Sequence, residues 1–233
     1  MHTTPYSETS VVAKVFTRQL GVRSYIIKGV LGGKGGTQRK PGGRSGAKLS
    51  LLQPLSSLDM VVYDNSKTDL NYIKEMTSRH PDVVPDPIDG ALRFFMTEVL
   101  YKSLREAEPM PALWDYVESM AYAEACGGRT HVPIRFLLTV ARHLGIEPRD
   151  NYSHRCPLFC LQEGEFVSTA NETTLSPSLS ETLHQYLNSP LSTLHFPLDE
   201  RTALINALSA YYHLHLSGFS HFRSHEILHT ILI

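Results

Sequence analysis

Cysteine is scarce in this sequence. Three occur in 233 residues, Cys126, Cys156 and Cys160. An odd, sparse set argues against a disulfide framework and fits a reducing compartment. Long apolar runs are also missing: no stretch approaches the roughly 18 residues that a membrane-spanning helix needs. The opening MHTTPYSETS has neither a basic start nor an apolar stretch after it, so no secretory signal is expected there. Together these absences point to a cytoplasmic protein without a membrane partner. Catalytic signatures are missing as well. There is no G-x-S-x-G, no H-E-x-x-H and no paired carboxylates at a telling spacing. Nothing in the residues calls for an enzyme or a cofactor.

Acid is absent from the first part of the chain between Lys14 and Lys48. Residues 1–50 hold nine bases, Lys14, Arg18, Arg23, Lys28, Lys34, Arg39, Lys40, Arg44 and Lys48, against the single acid Glu8. That end carries +8 in a chain whose net charge is −1, so the remainder carries −9. A nearly neutral molecule with one basic end offers a surface to polyanions. The simpler alternative is a solvated surface that maintains solubility.

The basic end centres on GVLGGKGGTQRKPGGRSGAK (29–48), which holds eight of the fifteen glycines and five of the bases. A phosphate-binding loop would need Ser or Thr after the lysine, but Lys34 is followed by Gly35. The dinucleotide fingerprint fails too, because Gln38 stands where its third glycine belongs. Such loops also run into a helix N-terminus, whereas LSLLQPL with Pro54 follows here. A long basic loop between two strands, able to close on a phosphate backbone, is the better description.

The flanking segments read as strands. VVAKVF (11–16) and VRSYIIKGV (22–30) form a hairpin through TRQLG. Residues 49–65 and 70–79 are again strand-like, with turn residues between them. Several short strands without an intervening helix in residues 1–80 predict a five-stranded OB-type barrel. HPDVVPDPIDG (80–90), with three prolines and a glycine, marks a boundary. Residues 81–233 then read as a helical domain, with helices at 88–108, 111–126, from Pro133 to Gly145, 177–188 and 199–217, and a short one near 222–231. A turn-rich insertion, about 147–176, contains a possible small hairpin at LQEGEFV. The fold class is therefore α+β, a small barrel followed by helices.

Two histidine-containing sets are weak candidates for metal ligands. His154, Cys156 and Cys160 lack a second pair with similar spacing, and inert thiols are the default reading. His221, His225 and His229 fall at i, i+4, i+8 near the end of the chain, without an acidic partner set. In the helix ending at Gly145, Arg135 and Arg142 lie beside Phe136, Leu137, Val140 and Leu144. The apolar set is most simply a core stripe. Bases at the rim of an apolar groove also suit an acidic peptide tail.

These segments together resemble the RecO family of bacterial DNA repair proteins. The likeness rests on Y-S-E-T-S (6–10) followed by VFT (15–17), Arg23 to Gly29 before a basic loop, and LLQPLSSLDMVVY (51–63). It continues through FFMTEVLYKSLREAEP (94–109), RFLLTVARHLGIEP (135–148), NYSHRCPLFCLQEGEFV (151–167) and SHEIL (224–228). The resemblance implies a recombination mediator without covalent catalysis, which binds single- and double-stranded DNA and anneals complementary strands. It further implies that the protein acts with RecR, engages the acidic C-terminal tail of single-stranded-DNA-binding protein and helps load RecA. Members begin several residues further upstream, so a short first strand is expected. Many members carry four zinc-binding cysteines, of which only the positions near Cys156 and Cys160 are filled here, so zinc is not carried over.

On this reading the nine bases contact DNA, Arg135 and Arg142 receive the partner tail, and Tyr25 or Phe16 stacks a base if exposed. The competing readings are a helical interaction scaffold with a solubilising basic end, which heparin competition would separate, and a zinc or nucleotide enzyme, which metal analysis and a turnover screen would test.

Overall fold

The computed structural model describes residues 2–30, 48–63, 70–104, 108–122, 129–190 and 193–224. The chain packs as two compact units, Met1–Tyr122 and Ala123–Ile233.

The first unit is built on a five-stranded sheet of β1 (His2–Pro5), β2 (Val11–Thr17), β3 (Gly21–Ile27), β4 (Leu58–Tyr63) and β5 (Leu70–Ser78). Strand order is β1-β2-β3-β5-β4. All neighbours run antiparallel except β3 and β5, which pair in parallel from Ser24↔Leu70 to Ile26↔Tyr72. Among the described residues no pairing joins β1 to β4, so the ladder is an open sheet and barrel closure is not seen. The β2–β3 hairpin forms where the β-branched residues predict it. Gly21 takes a positive φ of 69° at its corner, and the Thr17 hydroxyl locks the turn by donating to the Gly21 carbonyl at 2.9 Å and accepting from Leu20 N–H at 3.0 Å.

The strand expected over 49–65 is shorter than its apolar content suggests. Residues 48–50 are helical, turns follow, and among the described residues of this segment only Leu58–Tyr63 is strand. Pro54 cannot donate to a ladder, and Leu55 adopts φ 52°, which no extended strand permits. Leu52 from this turn packs with Val11, Ala13, Ile27, Val30, Ile73 and Met76 in the core of the sheet.

Among the described residues the unit also holds the helices α1 (Pro87–Ser103) and α2 (Pro111–Tyr122). Asp86 caps α1 by accepting from Asp89 N–H, and Pro87 follows at the first turn, where its missing N–H costs nothing. Leu92, Phe95, Met96, Val99 and Leu100 of α1 are buried, as are Leu113 and Val117 of α2. Each such side chain contributes about 1.5–3 kcal/mol relative to exposure.

The second unit holds α3 (Val132–His143), the hairpin β6 (Leu158–Cys160) with β7 (Glu165–Val167), α4 (Pro177–Asn188) and α5 (Leu198–His215). The 3.6-residue period located α3 and α4 to within about two residues at each end, and Gly145 ends the α3 region with φ 74°. Phe136, Leu137 and Val140 are fully buried, so the α3 stripe is core. Tyr212 donates to the Leu137 carbonyl at 2.7 Å, and Tyr211 to that of Ile146 at 2.9 Å, so both hydroxyls are satisfied inside the core. Burial pushes the Tyr211 phenol up to about 12. The helix expected near 222–231 falls mostly outside the described residues.

Candidate nucleic-acid interface

The sheet of the first unit distributes the expected basic residues over different surroundings. Lys28 follows the end of β3, and its ammonium lies 4.4 Å from the centroid of the Tyr72 ring on β5. Lys48 reaches back across the two ends of the basic stretch and donates to the Lys28 carbonyl at 3.0 Å. Lys28 and Lys48 are therefore brought together and are both exposed. Lys14, paired with Ser24 in the β2–β3 register, is half-buried with its ammonium 5.7 Å from the Tyr101 ring of α1.

Arg23 alternates to the opposite face from Lys28, as the period of two requires. It is exposed and donates to the adjacent Val22 carbonyl at 2.9 Å. Arg18, in the hairpin turn, forms a two-pronged pair with Asp115 of α2, at 2.8 and 3.0 Å. The carboxylate holds the Arg18 guanidinium above its ordinary value, and Arg18 in turn holds Asp115 below the usual carboxylate range. Lys34, Arg39, Lys40 and Arg44 lie outside the described residues.

The two aromatics that could stack a base only if exposed are core, the simpler reading of each. Tyr25 is 2% exposed and Phe16 9%. The exposed aromatics on the sheet strands, among the described residues, are Tyr63 and Tyr72, at 57% and 40%. They oppose each other in the β4–β5 register. The alternation in LDMVVY signals Tyr63, since its burial alternates strictly along β4. Along β5 the alternation is interrupted at Lys74 and Glu75, both exposed, where the register shifts between Val61 and Val62.

Arg79 is a basic side chain outside the expected set. Just beyond β5 it donates to Glu118 of α2 at 3.1 Å and lies over the Trp114 ring, 5.5 Å from its centroid. Glu118 also accepts from the Ser57 hydroxyl at 2.8 Å, and His80 stacks on Tyr122 with centroids 3.8 Å apart. This network borders a cavity of about 300 Å³, whose lining includes Leu52, Pro54, Leu58, Phe94, Trp114 and Val117.

In the second unit, Arg135 is half-buried on α3 and Arg142 is exposed. Arg142 pairs with Glu147, which raises the guanidinium through the hydrogen bond and the charge. The weak metal set does not converge. His154 is exposed, Cys156 is half-buried, and Cys160 is fully buried with its sulfur 3.3 Å from the Thr173 hydroxyl and 3.5 Å from the Asn171 amide nitrogen. Burial works against ionisation of Cys160, yet these hydrogen bonds and the backbone N–H groups of Glu163 and Gln162 carry its thiol below the ordinary value. Among the described residues no group of three or more His, Cys, Asp or Glu is placed to hold a metal, and no helix is long and apolar enough to cross a membrane. Cys126, His225 and His229 lie outside the described residues.

What the arrangement can do chemically is bind an anion through spaced cations. With known proteins, residues 1–81 match the family model described as Recombination protein O N terminal, and residues 86–225 that described as Recombination protein O C terminal. The chain is similar to the DNA repair protein RecO of Christiangramia forsetii, at 26% identity over 97% of this chain and 93% of that protein. It is 28% identical to the DNA repair protein RecO of Flavobacterium psychrophilum, with the same two coverages. The DNA repair protein RecO of Phocaeicola vulgatus is 28% identical, over 98% of this chain and 94% of its own length.

Proposed function

The chain belongs to the recombination protein O family, and from that premise we propose that it is a non-enzymatic DNA-binding protein of bacterial repair and recombination, which anneals complementary strands. The observation that carries this reading is the convergence of Lys28 and Lys48 at the two ends of the acid-free stretch that bears four further bases. Cations so grouped displace condensed counterions from a phosphate backbone, which favours binding entropically and without sequence preference. Screening two strands at once lowers the repulsion between them, which is what annealing requires.

The strand order β1-β2-β3-β5-β4, with its parallel β3–β5 pair, supports reading the sheet as a partly open OB-type barrel. On this reading Lys14, Arg18, Arg23, Lys28, Lys34, Arg39, Lys40, Arg44 and Lys48 contact phosphates. Arg135 and Arg142, seven residues apart on α3, receive the acidic C-terminal tail of single-stranded-DNA-binding protein. RecR is the partner in action, loading of RecA the outcome, and the nucleoid-bearing cytoplasm the place.

Fluorescence anisotropy of a labelled single-stranded oligonucleotide, titrated at low and at moderate salt, tests the core of the proposal. The expected result is binding that weakens steeply with salt, with a log–log slope of about −0.7 for each phosphate neutralised. Absence of binding at low salt overturns it.

A further inference from the structure

We propose that Tyr63 and Tyr72 form a base-stacking step for single-stranded nucleic acid, with Lys28 placed to meet the phosphate beside it. The inference rests on the DNA-binding reading above and adds to it the residues that tell an unpaired strand from a duplex.

The register puts Val12, Ile26, Tyr72 and Tyr63 in one row across β2, β3, β5 and β4. Residues directly opposite share a face, so the two tyrosines are neighbours on the same surface, with Cβ atoms about 5 Å apart. Both rings are exposed, at 57% and 40%. A large aromatic gains nothing from lying in water, and two exposed ones opposite each other in the register offer apolar faces of the kind on which nucleobases stack.

Charge selects the occupant. Lys28, in the turn just beyond β3, places its ammonium 4.4 Å from the Tyr72 ring centroid. Lys48 is tethered to the same spot by its bond to the Lys28 carbonyl. On β5 the acid Glu75 is met by Lys74 at 3.5 Å, and on β4 Asp59 is met by Arg79 at 3.7 Å, while Asp64 and Asp69 lie outside the described residues. An aromatic surface edged by two lysines suits a ligand that alternates flat rings with negative charges, which is a single strand. A duplex hides its base faces in its own stack and offers only phosphates. The tyrosines therefore contribute to single-strand binding, and the lysines to both.

The test compares wild type with Tyr63→Ala/Tyr72→Ala and with Tyr63→Phe/Tyr72→Phe, using a labelled oligothymidylate and a labelled duplex. Expected for the alanine pair is a loss of about tenfold or more in single-strand affinity, unchanged duplex affinity and an unchanged salt slope, because no charge is removed. The phenylalanine pair keeps wild-type affinity for both ligands. Unchanged single-strand affinity in the alanine pair overturns the stacking step and leaves the face to a protein partner. Parallel losses on both ligands overturn it as well, since they report damage to the fold or to the cations. Failure of the wild type to bind either ligand is a different result and sinks the DNA-binding reading itself.

Discussion

Arg18 grips Asp115 with both prongs of its guanidinium, Nε to Oδ1 at 2.8 Å and Nη2 to Oδ2 at 3.0 Å, linking the β2–β3 turn to α2. Both side chains are about half exposed, so solvent and salt weaken the pair and it adds little to stability. Its consequence lies in charge: a base counted for phosphate binding is already matched by an acid. Asp115→Asn is expected to strengthen oligonucleotide binding a few-fold at low salt and to steepen the salt slope, while the melting temperature barely moves. Anisotropy and thermal melting measure both, and an unchanged affinity would remove Arg18 from the interface.

The bases between Gly29 and Lys48 contribute by number. Changing Lys34, Arg39, Lys40 and Arg44 together to Ala is expected to weaken single-strand binding and to flatten the salt slope by about three. An intact affinity and slope would show that the stretch has no part in binding.

Stability of the second unit should fall in mild acid. His131 is buried, with Nδ1 2.6 Å from the Tyr186 hydroxyl. Burial, and then the Arg201 charge, hold its pKa below the ordinary value. The unfolded chain therefore binds a proton that the folded one resists. The stabilisation is fully present above the unfolded value of about 6.5 and is lost progressively as pH falls below it. His131→Gln is expected to flatten the dependence of melting temperature on pH between about 7 and 5. A slope that survives the substitution would assign the acid sensitivity elsewhere.

Gly164, in the β6–β7 turn, has φ 71°, and a Cβ there would stand 3.0 Å from the Tyr211 hydroxyl. Gly164→Ala thus combines backbone strain with displacement of a group that donates to the Ile146 carbonyl at 2.9 Å. A cost of about 1–3 kcal/mol is expected in denaturant titration. Tyr211→Phe, which removes only the hydroxyl, should cost about 1 kcal/mol.

The partner-tail reading has its own test. Arg135→Glu is expected to abolish binding of an acidic peptide carrying a free carboxylate, measured by calorimetry, and to leave oligonucleotide affinity unchanged. Unchanged peptide binding would remove Arg135 and turn attention from α3.

Periodicity carried much of the architecture. Pro87, Pro111 and Pro177 each open a helix where the apolar spacing begins, and VVAKVF and VRSYIIKGV pair across Gly21 as their composition dictates. What the sequence hid depends on three-dimensional context. LSLLQPL has the apolar content of a strand, yet Pro54 and Leu55 break it into turns. Tyr25 and Tyr72 look alike in the sequence, but one lies in the core and the other on the surface. The register shift at Val61 and Val62 changes the phase of β5 at Lys74 and Glu75, and no local pattern reveals a shift set by the partner strand. The Arg18–Asp115 pair was equally hidden, since its members are 97 residues apart in sequence.

The parallel pairing of β3 with β5 has a consequence for how the protein is made. The β2–β3 hairpin needs only its own residues and can close as soon as they leave the ribosome. The free edge of β3 must then wait for Leu70 to find Ser24, after the glycine-rich stretch and β4 have also been synthesised. At a typical five to twenty residues per second, that interval is several seconds. Throughout it, a strand edge backed by Tyr25, Ile26 and Ile27 stays open to foreign pairing. The positive charge that follows directly in the nascent chain adds mutual repulsion between copies, a guard on that edge until β5 arrives.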